Sequence, residues 1–185
     1  MALTKIDDRG LKTPIDLLDN EKIRLGTGND LEIFHAGAHT KFINKTGQLR
    51  LQSADFRVRD YTNDHEMIIA TEDGSVDLYY DNVKTLTTQA NGITVLGPEG
   101  GSAQINLYSD EGDDNADLWR IDNKNDGTLS IENYTSGSWE TNLKLTGNAG
   151  VHLYHDNSAV CYTDTDALRF NDNKYLKLGS SQDLQ

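Results

Sequence analysis

Carboxylates are the most abundant chemistry-bearing groups in this chain, with 22 Asp and 8 Glu among 185 residues. Two of them facing across a groove would suit glycosidase or lyase chemistry. In so acidic a chain, however, closeness in sequence singles out no pair. The densest run is Asp110-Glu111-Gly112-Asp113-Asp114-Asn115, followed by Asp117. Oxygen-rich loops hold Ca²⁺, but Gly112 comes too early for an EF-hand and no Glu stands at the closing distance. Asp110, Asp113 and Asp114 are therefore weak metal candidates, and a solvated hairpin loop is the expected structure. Asp122 to Asn133 places Gly127 sixth in a similar loop, yet Lys124 and Asn133 replace two ligands; an Asn-Asp-Gly turn accounts for it better.

The five histidines are His35, His39, His65, His152 and His155. His35 and His155 occupy the same place in a short repeated signature, where other copies have Tyr80 and Ser109, so a surface or lining role is expected. Three copies of one such His on a three-fold axis could bind a metal ion, which makes His35 and His155 the remaining weak metal candidates. Nucleophilic catalysis finds no support: there is no Gly-x-Ser-x-Gly elbow, and Cys161 aligns with the apolar Leu86. Gly26-Thr27-Gly28 lacks the Lys of a phosphate-binding loop. Carbohydrate recognition uses aromatic faces, and Trp119, Tyr134 and Trp139 lie together in the least repetitive stretch. They are the candidate glycan or receptor contacts, although Trp119 has the parity of Ile121, and Trp139 that of Leu143 and Leu145, which favours a core role.

Only 36% of the residues are apolar, the formal net charge is −13, and the sequence pI is about 4.6. With Lys and Arg scattered, nucleic-acid binding is not expected. No apolar run is long enough to insert into a membrane, and the opening MALTKIDDRGLK lacks a signal-peptide stretch, so synthesis in a reducing cytoplasm is expected. A single cysteine forms no intrachain disulfide, and no zinc spacing or other cofactor signature is present. Apolar residues recur two apart, as at Leu31 and Ile33, Val76 and Leu78, Leu129 and Ile131, and Leu143 and Leu145. Between them stand Asp73-Gly74, Asn91-Gly92 and Asn125-Asp126-Gly127. Period two with such turns predicts short antiparallel strands in hairpins. The one helix candidate runs from Pro14 to Asn20, with Thr13 as its cap.

Residues 76–95 align without a gap to residues 151–170, and shorter copies occur at LEIFHAG, 31–37, and INLYSDE, 105–111. Residues 171–185 resemble 18–32, so the chain is expected to stop inside a further unit of a longer repetitive polypeptide. The expected divisions are 1–25, an N-terminal segment with the short helix; 26–111, repetitive hairpins; 112–148, a hairpin insertion; and 149–185, repetitive units again. Units this poor in apolar residues gain stability by stacking and by association. A symmetric homotrimer follows as the expectation, all-β and elongated, in the manner of a β-helix or β-prism.

The N-terminal LTKIDDRGLKTPIDLLDNEKIRLGTGNDLEIFHAG, the LYYDN and LYHDN units and IENYTSGSWETNLKLTGNAG resemble bacteriophage tail fibre proteins of the marine and cyanobacterial type. The resemblance covers nearly the whole chain; in the first copy Ala36-Gly37 stands where an acidic turn usually follows. It implies a homotrimeric fibre of the virion tail, attached to other tail proteins at its N-terminal end and directed at a host cell-surface glycan or other receptor. The expected role is non-enzymatic, structural and adhesive. The alternatives are a polysaccharide-binding or polysaccharide-degrading tailspike module and a fibrous adhesin.

Overall fold

The computed structural model describes residues 16–177. These residues are all-β, with fifteen strands in three antiparallel sheets, none of them closed. The expected helix lies partly outside the described residues; within them, 16–20 form no helix, and the chain turns at Asp19-Asn20 with Asn20 at φ 68°. No described helix is long and apolar enough to cross a membrane. The chain divides into two units at Gln52 and Ser53.

The first unit is a three-stranded meander of β1 (Ile23–Leu25), β2 (Leu31–His35) and β3 (Thr40–Asn44). The second holds a five-stranded and a seven-stranded meander. The five are β4 (Asp55–Arg59), β5 (Glu66–Thr71), β6 (Val76–Tyr80), β7 (Val83–Gln89) and β8 (Gly92–Val95). The seven begin with β9 (Ala103–Tyr108), β10 (Leu118–Asn123), β11 (Thr128–Asn133) and β12 (Glu140–Thr146). They end with β13 (Val151–His155), β14 (Ser158–Thr163) and β15 (Leu168–Phe170). Residues 112–148 thus supply three strands of the same sheet that carries 151–170.

The turns follow from residue chemistry. The hairpins β6–β7 and β13–β14 close on Asp81-Asn82, φ 48° and 61°, and Asp156-Asn157, φ 51° and 55°. Two successive left-handed residues make the turn whose twist matches a hairpin, and Asp and Asn tolerate that region. Two paired rungs in from the turn both hairpins slip register, between Leu78 and Tyr79 and between Leu153 and Tyr154. Such a bulge moves every following side chain to the other face.

Register places apolar residues in unbroken rows. Across the seven strands, Ile105, Ile121, Ile131, Leu143, Leu153, Cys161 and Phe170 stand opposite one another in turn. In the five-stranded sheet Val58, Ile68, Leu78, Leu86 and Val95 do the same. These rows are open to solvent over most of their length, Cys161 excepted: Leu153 is 48% exposed and Leu78 40%. The buried residues are polar, namely Glu32, Asp77, Asp122, Ser130, Glu132 and Asn133, with Cys161 the one buried apolar side chain among the described residues. The ordinary sorting of side chains is inverted.

Candidate interaction surfaces

The polar face of the seven-stranded sheet centres on Glu132, whose neighbours across β10 and along β11 converge on its carboxylate. Arg120 Nε donates to Oε2 at 2.7 Å, and Lys124 Nζ and Ser130 Oγ donate to Oε1 at 2.6 and 2.7 Å. The hairpin register sets this up, since Arg120 faces Glu132 and Asp122 faces Ser130. Burial alone would raise the Glu132 pKa, but the bonds from Lys124, Ser130 and Arg120 outweigh it and hold the carboxyl below its ordinary range. Arg120 also reaches Asp122 at 3.6 Å, while Asp122 Oδ1 is buried without a hydrogen-bond partner.

Related constructions occur in the other two sheets. In the first unit Lys22 and Lys45 each lie 2.8 Å from Glu32, and these hydrogen bonds lower its pKa to about 2. In the five-stranded sheet Lys84 and Thr87, both 2.5 Å away, lower Asp77 to about 2. These acids hold salt bridges that tie neighbouring strands together on a half-wet surface. They are occupied by cations and hydroxyls, which suits a structural role.

The sequence candidates separate. Trp119 lies on the apolar face, 39% exposed, where a concavity of about 510 Å³ is lined by Leu107, Trp119, Ile121 and Ile131 with Ser109 and Asp117. Tyr134 and Trp139 do meet, with ring centroids 5.1 Å apart, and Trp139 stacks on Arg120 at 4.1 Å. They are half-buried beside the polar face. The parity that groups Trp139 with Leu143 and Leu145 fails because of the bulge opposite Ile131 and Glu132, which leaves Asn142 unpaired in the ladder. Asp113 and Asp114 join Asp117, their carboxylate atoms within 4.8 Å, whereas Asp110 is not in that group. Asp117 is already engaged by Ser109 Oγ and by the amide of Asp114, the N-cap of the short 3₁₀ turn that Asp117 ends. His35 and His155 are exposed, and His35 Nδ1 lies 3.3 Å from Thr40 Oγ1.

The Arg120–Glu132–Lys124 cluster escaped the sequence reading. Its signal was there: the turn at Asn125-Asp126-Gly127 fixes the hairpin, and in that register the residues between the apolar ones must pair. What fold and surfaces define together is an all-β repeat of antiparallel meanders with an apolar face and an ion-paired face. Comparison with known proteins finds no matching family model, no matching curated protein and no matching solved structure.

Proposed function

We propose that this chain is a structural and adhesive segment of a bacteriophage tail fibre, a homotrimer that joins other virion tail proteins to a host-receptor contact. The observation that carries the reading is the repetition itself. The strand pairs β1–β2, β5–β6 and β12–β13 share one pairing register, with Ile33, Leu78 and Leu153 at the same place, and the hairpins β6–β7 and β13–β14 that follow share a turn and a bulge that β2–β3 lacks. Such units stacked along a chain, each without an apolar core of its own, are what an extended repeat protein is made of. The sequence resemblance to tail fibres points the same way. The work is mechanical and multivalent: three chains holding weak receptor contacts together raise their effective concentration.

A polysaccharide-binding module is the second reading, favoured by the Tyr134–Trp139 pair against Arg120. Light scattering coupled to size exclusion tests the first. A mass three times 20.6 kDa supports the trimeric fibre, and 20.6 kDa at every concentration removes it. Glycan binding that is lost in Trp139→Ala, in a protein of unchanged mass and circular dichroism, would favour the second.

A further inference from the structure

A sheet of seven strands with one apolar face normally lays that face on a second layer. Here the row from Ile105 to Phe170 has no layer over it within the chain's own seven-stranded ladder, and its neighbours Leu107, Leu129 and Leu168 are 56%, 36% and 57% exposed. With Ile105, Trp119, Val151 and Leu153, all on the same face and each at least 36% exposed, they make a contiguous apolar patch on the order of 600 Å², at the top of the range for the largest patch on an ordinary monomer. A stable protein interface takes about 800 Å² from each partner. The opposite face carries the Arg120–Glu132–Lys124 cluster and, further along, His152 stacked on Tyr162.

We infer that the apolar face of β9–β15 is the seam between copies of this chain, with the ion-paired face turned outward. This deepens the self-associating fibre reading and rests on it. Charge permits a second copy as the occupant. The chain carries a formal net charge of −13, so two copies repel over most of their surfaces, yet the seven-residue row holds no ionisable group other than the Cys161 thiol. It is a face on which like-charged copies can meet. The five-stranded sheet repeats the device with Val58, Ile68, Leu78, Leu86 and Val95, again without charge. A repeated seam is what copies lying along one another would need.

The test uses the full chain with Cys161→Ala to remove the native thiol. Leu129→Cys stands on the apolar face and Gln104→Cys on the opposite one, and each is treated with a short bismaleimide. Covalent multimers from Leu129→Cys and none from Gln104→Cys are expected. In parallel, Leu153→Arg reduces the native mass to 20.6 kDa, and Gln104→Arg leaves it unchanged. An unaltered oligomer in which Leu129→Cys fails to cross-link and Leu153→Arg has no effect overturns the seam while leaving the fibre reading intact. A parent protein that is monomeric throughout overturns both.

Discussion

Strands β4–β8 and β11–β15 present the same backbone twice. Asn82 Oδ1 accepts the amide of Glu66, and Asn157 Oδ1 that of Thr141; Thr88 Oγ1 accepts the amide of Val76, and Thr163 Oγ1 that of Val151. Corresponding residues of the two sets are 75 apart. The rows also correspond, with Leu78 answered by Leu153 and Val95 by Phe170. The polar faces differ. Asp77, bound by Lys84 and Thr87, is answered by His152, which stacks on Tyr162 at 5.3 Å and keeps Nδ1 buried without a partner. Turn chemistry, bulge and apolar row are retained, while the ion pairs are rewritten. The retained features are those that a repeated seam would require, and the rewritten ones lie on the ion-paired face.

The largest effect should break the resemblance. Glu132→Ala leaves Arg120 and Lys124 facing each other without their carboxylate, and breaking one side of a buried ion pair costs about 3 kcal/mol. The denaturant midpoint should fall well beyond that of Glu66→Ala, whose partners Arg57 and Arg59 are more open to water. Equal shifts would show that the Glu132 cluster is no more buried in energy than its counterpart. The next pair should sharpen the resemblance. Asn82→Ala and Asn157→Ala each force a left-handed residue and remove an amide's acceptor, for about 2 kcal/mol apiece. A silent variant at either turn would end the equivalence.

Much of this was legible in the sequence, and the reason is local. Period-two spacing at Val76 and Leu78, or Leu143 and Leu145, shows strands because successive side chains of a strand alternate. Asp73 and Asn148, at φ 54° and 58°, mark turns because few other residues take that conformation. The bulges were not legible: a single extra residue such as Asn142 carries no signal of its own, and it reversed the face assigned to Trp139. Nor could alternation tell which face is buried. Spacing separates the two faces of a strand, but burial of Glu132 depends on long side chains from β10 lying over it.

Acid should separate the two regions again. The folded Asp77 carboxyl, at about 2, lies below its unfolded value of 3.8, so its stabilisation is complete above roughly pH 4 and is lost as pH falls towards 2. Asp77→Asn should flatten that part of the acid unfolding curve measured by circular dichroism; an unchanged curve would deny the Asp77–Lys84 bond its role. The smallest effects belong to Thr88→Val and Thr163→Val. Each loses one bond to a strand amide, about 1 kcal/mol, and the two should agree in denaturant titrations at matched protein concentration.

If other copies of the chain cover the apolar face, the two tryptophans report on it from opposite sides. Trp139→Phe leaves Trp119 on the apolar face as the only indole, and its quenching by acrylamide can be compared between the native protein and the same protein carrying Leu153→Arg. Trp119 should be shielded in the native protein and accessible in the Leu153→Arg variant. Equal, free quenching of Trp119 in both would contradict it.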